Sequence, residues 1–388
     1  MASEIPLTLR KFLAPEIVYG EGALELAGQH ALNLGATKVL VVSDPGVQAV
    51  GWTAKVEQSL RQSRLSFVTF TGVTPNPRDY EVMAGAEVYK KEGCDLIIAV
   101  GGGSPMDCAK GIGVVAGNPR FITEFEGVDE VPEPGPPFIF IPTTAGTSAD
   151  VSQFAIINDT LRKVKIAIIS KMVIPDIALV DPAATVTMPP ALTAATGMDA
   201  LCHAFEAFVS TAASPLTDIA ALAAVELIRD NLPGACRQPT AMTFRNNMMM
   251  ASLMAGLAFS NASLGLVHAM AHSLGGLLDL AHGECNAILL EEVIRYNYPA
   301  AGEKYDRMAE ALGLAVRNRD PDHRATLLVD HVAALRKQLG IHQRLRDMGA
   351  VHADLAQLAG HACDDPCLAT NPRGATADDI EKIFARVY

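Results

Sequence analysis

The feature that most constrains the fold of this chain is a change of hydrophobic pattern near its middle. Up to residue 182, short runs rich in β-branched residues alternate with longer amphipathic stretches. After Pro190 the short runs disappear, and long segments with helical spacing of apolar residues follow. Alternating strands and helices build parallel sheets, whereas consecutive helices pack on one another. The sequence therefore predicts an α/β domain at residues 1–186 and an all-α domain at residues 187–388.

Several of the short runs in the first half are apolar on both faces, which is typical of strands buried in a parallel sheet. The predicted strands are 38–44, 66–70, 95–103, 138–142 and 176–182, with helices at 48–63 and 79–92. In the second half the predicted helices are 191–210, 214–231, 241–259, 263–275, 284–297, 302–312, 323–339 and 378–387.

The charge balance limits the partners of the protein. Asp and Glu number 43 against 31 Lys and Arg, which gives a net charge of −12, and the chain has no run of basic residues. Nucleic acids and anionic membranes attract basic surfaces, so neither is expected as a partner. The sequence also lacks an apolar stretch of about 18 residues and the layout of a signal peptide at its N-terminus. We therefore expect a cytoplasmic protein.

A buried strand, three glycines and a helix start follow one another in the segment DLIIAVGGGSPMDCAK. Gly101, Gly102 and Gly103 allow backbone amides to approach an anion with no Cβ in the way. Ser104 is predicted to cap the helix, and Pro105 to occupy its first position. A helix N-terminus of this kind binds a pyrophosphate, so a dinucleotide is expected here. The alternative is a tight strand-to-helix turn without a ligand.

Two further segments offer polar groups to such a dinucleotide. Asp44 closes the first buried strand, where its carboxylate can accept hydrogen bonds from ribose hydroxyls and repel a 2′-phosphate. NAD is therefore expected in preference to NADP, the alternative being a solvated aspartate at a turn. The loop IPTTAGT presents the hydroxyls of Thr143, Thr144 and Thr147, and the alternative for this loop is a turn rich in hydroxyl groups.

The second half concentrates histidines in an apolar setting. Four of the ten histidines lie, together with Asp199, in the segments TGMDALCHAFEAF and GLVHAMAHSLGGLLDLAHGECNA. Asp199 and His203 are four residues apart, as are His268 and His272, so each pair shares one face of a helix. A buried imidazole needs a partner, and one metal ion can bind several imidazoles. The set predicts a divalent-metal site, the alternative being separate core histidines bonded to backbone carbonyls.

His282 requires the chain to reverse. It lies fourteen residues after His268, which on an unbroken helix would be roughly 21 Å, too far to bind the same ion. Gly275-Gly276 is the predicted helix stop that allows the chain to fold back. The predicted metal ligands are Asp199, His203, His268 and His282, with His272 beside the substrate.

With these motifs in place, the chain resembles the iron-dependent (group III) alcohol dehydrogenase family over nearly its full length. The segments that carry the resemblance are TPNP (74–77), GGGSPMDCAK (101–110), IPTTAGT (141–147), ALVDP (178–182), TGMDALCHAFEAF (196–208), GLVHAMAHSLGG (265–276), HGECNAILL (282–290) and NPR (371–373). The resemblance implies a Rossmann-like N-terminal domain and a helical C-terminal domain, the architecture of dehydroquinate synthase. It also implies Fe(II), or Zn(II), in the cleft together with NAD.

The resemblance further implies roles for single residues. The metal ligands of the family correspond to the four ligands predicted above, and its additional active-site histidine, taken as catalytic, corresponds to His272. Its cofactor contacts correspond to Asp44, Asn76, Pro77, Gly101, Gly102, Gly103, Ser104, Thr143, Thr144 and Thr147. The implied reaction interconverts a small primary alcohol, or diol, and its aldehyde in a homodimer or larger homo-oligomer.

The chain also departs from the family pattern. Ser148-Ala149-Asp150 stand where the family usually has Gly-Ser-Glu, Glu291-Glu292 follow NAILL where a proline is usual, and Ala184 replaces a frequent leucine. Three alternatives therefore stay open: a zinc glycerol dehydrogenase, a lyase like dehydroquinate synthase, and a regulatory or binding protein that kept the fold without turnover. The lyase would need a basic pocket, and no Lys/Arg cluster adjoins the ligand motifs.

Overall fold

The computed structural model of the protein describes residues 10–388, so the first nine residues of the predicted domain 1–186 lie outside the described part. The strands are β1 (Glu16–Tyr19), β2 (Lys38–Val42), β3 (Ser66–Phe70), β4 (Leu96–Gly101), β5 (Gly127–Val128), β6 (Phe138–Pro142), β7 (Phe154–Asp159), β8 (Val164–Ile169) and β9 (Ile177–Val180). The helices are α1 (Ala27–Asn33), α2 (Pro45–Ala49), α3 (Trp52–Gln62), α4 (Asp79–Glu92), α5 (Gly103–Gly117), α6 (Pro190–Val209), α7 (Pro215–Arg237), α8 (Met242–Ala262), α9 (Leu266–Leu278), α10 (His282–Ala311), α11 (Pro321–Gln338), α12 (Leu355–Asp364) and α13 (Ala377–Val387). The predicted α/β first half and all-α second half are confirmed.

Six parallel strands form the main sheet, in the order β1-β9-β6-β4-β2-β3. Residues of β2 alternate between its faces. Val39 and Val41 join a buried cluster with α1 and α3, whereas Leu40 and Val42 join another with α4 and α5. Because helices cover both faces, the strands are apolar on both sides, as the sequence pattern indicates.

The strand order reverses between β2 and β4. The chain places β3 on one side of β2, and then β4, β6 and β9 in succession on the other side. In open sheets of this kind, ligands bind outside the carboxyl ends of the strands where the order reverses. Asp44 follows β2, Gly102 follows β4 and Thr143 follows β6. The predicted cofactor residues thus lie at one edge of the sheet, around the point of reversal.

The predicted strands agree with β2, β3, β4, β6 and β9 to within two residues at each end. The predicted helix 48–63 is instead two helices, because Gly51 between α2 and α3 is left-handed with a φ of 91°. The predicted helices 284–297 and 302–312 are one helix, α10, which is kinked near Pro299 and the non-helical Ala301. The pattern did not predict β1 or α12.

A small second sheet is also absent from the predicted elements. β7 and β8 form an antiparallel hairpin, and β5 pairs in parallel with β8. The carboxylate of Asp159 holds the turn, because its Oδ1 accepts the backbone N–H groups of Leu161 and Arg162. β8 packs against α9. A segment of the first half therefore contacts the helix that carries two of the predicted site histidines.

Helix α6 lies at the centre of the second half, where it contacts α7, α8 and α10. Its residues are buried without interruption from Gly197 to Val209, so the polar side chains that it carries in this stretch are buried as well. Among residues 10–388, no single helix is long and apolar enough to cross a membrane. The pair α8 and α9, bent by 98° relative to each other, meets that test of length and composition only when taken together.

Gly275 and Gly276 do not end a helix, so that prediction was wrong. α9 continues to Leu278 and ends at Asp279, whose φ of 54° is left-handed. The glycines instead allow β8 to approach, because a Cβ on Gly276 would lie 2.7 Å from both the backbone nitrogen of Lys165 and the Cα of Val164. The chain reverses after Asp279, and the predicted fold-back before His282 is confirmed.

Replacing Gly276 by alanine is expected to destabilise the protein, although alanine favours a helix by about 1 kcal/mol. The added Cβ would press on backbone atoms of β8, and overpacking of this kind typically costs about 1–3 kcal/mol. Gly360→Ala in α12 is the matched control, because a Cβ there meets no atom within 4 Å. We expect it to raise stability by up to about 1 kcal/mol. Thermal unfolding measures both, and equal stabilisation by both variants would contradict the close contact at Gly276.

Candidate metal and cofactor site

Four of the predicted side chains converge where α6, α9 and the start of α10 meet. The ligand atoms of Asp199, His203, His268 and His282 all lie within 4.8 Å of one another. Asp199 Oδ1 is 3.8 Å from His203 Nε2 and 3.6 Å from the Nε2 atoms of His268 and His282. Ligands about 2.1 Å from a tetrahedral ion stand roughly 3.4 Å apart, so this spacing fits one divalent ion. Three imidazoles and a carboxylate suit Fe(II), Zn(II) and Ni(II) alike.

A second carboxylate, Glu206, fixes the helix that carries His268. Its Oε2 pairs with His268 Nδ1 at 2.5 Å, and its Oε1 accepts the backbone N–H of Val267 at 2.6 Å. Asn371 Oδ1 accepts the preceding N–H, from Leu266, at 3.1 Å. Two donors at the start of α9 are thereby satisfied by other elements. The contact at Nδ1 also turns the Nε2 of His268 toward Asp199, as is usual behind metal-bound histidines.

The electrostatics of the cluster favour a cation among the four ligand atoms. Burial alone would raise the pKa of Asp199, but the neighbouring imidazoles, His203 first, hold it well below its usual range. Burial lowers the pKa of His203 to about 4 and that of His282 below its ordinary value. Burial acts the same way on His268, but Glu206 and Asp199 raise its pKa to about 9. The carboxylates that attract a proton to His268 equally attract a metal ion in its place.

Asn286, four residues after His282, lies against the ligand atoms. Its Nδ2 donates to Asp199 Oδ1 at 2.6 Å and lies 3.1 Å from the Nε2 atoms of His268 and His282. The amide therefore helps to hold the carboxylate and two of the rings in one place.

His272 lies beside the four ligand residues without joining them. Its ring stacks on that of His282, with centroids 5.4 Å apart, and its Nδ1 pairs with Asp365 Oδ2 at 2.8 Å. The ring lines a cavity of about 40 Å³. Thr147 and Phe154 of the first half line the same cavity, as do His203, His268 and His282. The predicted metal residues and part of the predicted cofactor loop thus face one space.

The glycine turn and the threonine loop touch at the edge of the sheet. A Cβ on Gly102 would lie 3.2 Å from Thr144, and a Cβ on Gly103 would lie 2.7 Å from Thr147 Cγ2. The absence of side chains in the turn therefore lets the two loops come together. Thr143, which precedes them, bonds through its backbone N–H to the carbonyl of Gly101 at 2.9 Å.

Ser104 does not cap α5, so this part of the prediction was wrong. The helix begins at Gly103 with Gly102 as its cap residue, and Ser104 and Pro105 fall inside the first turn. Glycine needs no side-chain clearance, which lets the helix start earlier than a serine cap would. The cap residue offers no side-chain acceptor. Backbone N–H groups at such an end suit an anion.

Asp44, Asn76 and Pro77 make contacts within the protein at the same edge. Asp44 Oδ1 caps α2 by accepting a backbone N–H at 2.9 Å. Asn76 Nδ2 donates to Asp279 Oδ1 at 2.8 Å, across to the loop that precedes His282. The carbonyl of Pro77 accepts the N–H of Asn158. Binding of a cofactor by these three residues stays a prediction.

Two departures from the family pattern have structural explanations. Ser148 has a left-handed φ of 52°, the conformation for which glycine is usual, and its Oγ bonds to the carbonyl of Ser252 at 2.6 Å. Glu291 pairs with Arg336 at 2.6 Å, which ties α10 to α11. Ala149, a third departure, lines the cavity.

The sequence matches known proteins over most of its length. Residues 14–182 match the family described as iron-containing alcohol dehydrogenase, and residues 193–388 match the C-terminal region of the Fe-containing alcohol dehydrogenase family. The chain belongs to the iron-containing alcohol dehydrogenase family. It is similar to the 1,3-propanediol dehydrogenase of Citrobacter freundii, with 41% identity over 380 residues that cover 97% of this chain and 98% of the relative.

Solved structures of this family agree. A crystal structure of 1,3-propanediol oxidoreductase has a TM-score of 0.94 at 39% identity and covers 98% of this chain and 100% of its own. Sulfoacetaldehyde reductase from Bifidobacterium kashiwanohense, in complex with NAD⁺, has a TM-score of 0.86 at 29% identity, with 98% and 99% covered. The predicted fold and the enzyme class are confirmed, and the family description agrees with the predicted metal ion.

Four residues near the site were not predicted: Glu206, Asn286, Asp365 and Lys165. Lys165, on β8, packs against α9, where a Cβ on Gly275 would lie 2.6 Å from its Cε. Its charge adds to burial in lowering the pKa of His282. Lys165 is therefore a cation close to the site in space, although no basic cluster adjoins the ligand motifs in sequence.

Proposed function

We propose that this protein interconverts small primary alcohols, or diols, and their aldehydes, with Fe(II) held by Asp199, His203, His268 and His282. The observation that carries this proposal is the shared cavity, which is lined by the three ligand histidines and by Thr147 of the predicted NAD loop. Such a cavity places a substrate between a metal site and a nicotinamide site.

The size and lining of the cavity favour a short substrate. One water molecule needs about 10–15 Å³ of such space, and the cavity of about 40 Å³, which three ligand histidines also line, has to hold the ion as well as part of a substrate. Phe154, Phe259 and Leu264 give it an apolar wall. A substrate of few carbon atoms therefore fits better than a long or charged one.

The chemistry needs few groups from the protein. A metal ion held by the four ligands would supply Lewis-acid polarisation of the substrate hydroxyl, and NAD, when bound, would supply the hydride acceptor. His272 faces the cavity and takes up the hydroxyl proton at Nε2. Phe154 and Phe259 exclude bulk water from the reacting carbon. In the reverse direction, His272 returns the proton to the aldehyde oxygen.

We place the cofactor along the carboxyl edge of the main sheet. The pyrophosphate would lie on the start of α5, which supports roles for Gly101, Gly102, Gly103 and Ser104. The residues proposed to line the remainder of NAD are Asp44, Asn76, Pro77, Thr143, Thr144 and Thr147. Their position after β2, β3 and β6, around the point where strand order reverses, supports this assignment. A carboxylate at Asp44 favours NAD over NADP.

The test is an NAD-linked assay over short primary alcohols and diols, run with elemental analysis of anaerobically purified protein. We expect NADH formation with substrates of few carbon atoms, at a rate proportional to metal content. Fe(II), but not Zn(II), is expected to restore activity lost in air. No NADH from any alcohol, in protein with a full complement of metal, would overturn the proposal.

We further propose a domain boundary near residue 186, a cytoplasmic location and a homodimer or larger assembly. The boundary is supported by the end of β9 at Val180 and the start of α6 at Pro190. The net charge of −12 and the lack of basic runs support a protein without nucleic-acid or membrane partners. The assembly is supported by the family resemblance and is tested by light scattering of the purified protein.

A further inference from the structure

The contact between His272 and Asp365 is not explained by metal binding. The Nδ1 of His272 lies 2.8 Å from Asp365 Oδ2, and both side chains are almost completely buried, at 5% and 6% exposure. His272 is not among the four residues whose ligand atoms converge. A buried imidazole outside the ligand cluster therefore also has a carboxylate partner.

Asp365 is itself held in place by its second oxygen. It follows α12, and its Oδ1 accepts the backbone N–H of Cys367 at 2.8 Å, which caps the short 3₁₀ helix Pro366–Thr370. Burial alone would raise the pKa of Asp365, but the interaction with His272 and the hydrogen bonds hold it below its ordinary value. The group is therefore a carboxylate with one oxygen fixed to the backbone and the other directed at the imidazole.

We propose that Asp365 is a positioning residue that fixes the tautomer of His272 with the proton on Nδ1. An ionised carboxylate can only accept, so the ring nitrogen that faces it must donate. The lone pair of the neutral ring then lies on Nε2, the nitrogen on the far side from Asp365. This inference rests on the proposed function, in which Nε2 of His272 receives the proton of the substrate hydroxyl.

The pair resembles Glu206 with His268 in geometry but differs in purpose. In both, a buried carboxylate lies within 2.8 Å of Nδ1. The Nε2 of His268 belongs to the cluster of ligand atoms, whereas His272 only lines the cavity. In the first case the fixed tautomer supplies a metal ligand, and in the second it supplies a proton acceptor.

A second metal site is a competing explanation, because ligand atoms of His272, Asp365 and Cys367 also lie close together. Two observations oppose it. The Nδ1 of His272 lies only 2.8 Å from Asp365 Oδ2, whereas two ligands of one tetrahedral ion stand roughly 3.4 Å apart. Burial raises the pKa of the Cys367 thiol well above its ordinary value, and metals bind the thiolate.

The test compares Asp365→Asn with Asp365→Ala. The asparagine can keep its Oδ1 on the N–H of Cys367, but its NH₂ would donate to Nδ1 and force the proton onto Nε2. We expect Asp365→Asn to lower kcat by about 100-fold or more, a range typical for loss of a general base. Asp365→Ala leaves the tautomer free, and we expect a loss of about tenfold, with a lower melting temperature because the cap of the 3₁₀ helix is gone.

A purely structural role predicts the opposite order, since alanine removes more contacts than asparagine. An alanine variant that is equally or less active than the asparagine variant, per metal-loaded protein, would overturn the proposal. So would wild-type activity in Asp365→Asn.

A second readout does not depend on turnover. In ¹⁵N-histidine spectra of Zn(II)-loaded protein, assigned with His272→Gln, Nε2 of His272 is expected to show the shift of an unprotonated nitrogen in the parent and of a protonated one in Asp365→Asn. An unchanged spectrum would refute the tautomer assignment. If the parent oxidises no alcohol, the proposed function fails, while the spectra still decide the role of Asp365.

Discussion

Replacing His282 by alanine is expected to remove the bound metal and the oxidation of alcohols together. Its Nε2 lies 3.6 Å from Asp199 Oδ1, so the substitution deletes one of four converging ligand atoms. His282 is the first residue of α10, and its side chain is 23% exposed against 3% or less for the other three ligands, so its truncation leaves little empty space in the core. We expect kcat/KM to fall at least about 1,000-fold, or about 4 kcal/mol of transition-state stabilisation.

The metal content and the melting temperature distinguish loss of a metal ligand from loss of the fold. Metal per chain is expected to fall in step with activity, while the His282→Ala protein unfolds near the melting temperature of the metal-free parent. His342→Ala is the matched control, because that histidine is exposed and belongs neither to the ligand cluster nor to the cavity lining. It should retain both metal and turnover. Full activity in metal-free His282→Ala protein would contradict the ligand assignment and the proposed reaction.

Much of the fold follows from hydrophobic pattern alone, because buried strands and helices differ in their period. The strands of the main sheet other than β1 and the helix α4 lie where the pattern places them. The pattern fails where tertiary contacts decide. Gly275-Gly276 look like a helix stop, but the residues serve the close approach of β8. The hairpin β7 and β8 is stabilised by pairing and by packing on α9, which a local pattern does not contain.

The spacing of residues along the sequence also indicates two site residues that were not predicted. Glu206 is seven residues after Asp199 and three after His203, which places all three on one face of α6. Asn286 is four residues after His282 on α10 in the same way. Asp365 carries no such signal, because it reaches His272 from a distant segment of the chain. Only the tertiary structure brings these two together.

A buried lysine connects the glycine turn with the threonine loop. Lys110, on α5, is fully buried, and its Nζ donates to the carbonyls of Ser152 at 2.8 Å and Phe154 at 2.7 Å. Burial lowers its pKa to about 8, and the carboxylates of Asp107 and Asp150 oppose that shift. The ammonium joins the helix that follows the glycine turn to the segment that follows Thr147.

Lys110→Met is therefore expected to loosen both predicted cofactor loops. Methionine matches the length of lysine but has no donor, so the carbonyls of Ser152 and Phe154 lose their bonds to Nζ inside the protein. Hydrogen bonds to a charged group contribute about 1.5–3 kcal/mol each, partly offset by relief of burying the ammonium, and we expect a net loss of about 2–4 kcal/mol. The melting temperature should fall by about 5–15 °C, with NAD binding weakened by about tenfold or more.

Asp107 and Asp150 make the stability of Lys110→Met depend on pH. Burial raises the pKa of each to about 6, and the ammonium of Lys110 opposes that rise. Without it, these carboxyls are harder still to ionise, so the variant should lose more stability at pH 8 than at pH 5.

Lys90→Met on the exposed face of α4 is the control, and it should change neither melting temperature nor NAD affinity. Because Lys110 lies outside the cluster of metal ligands, metal content should persist in the folded Lys110→Met protein. An unaltered melting temperature and NAD affinity in that variant would mean that the two loops hold their places without the lysine.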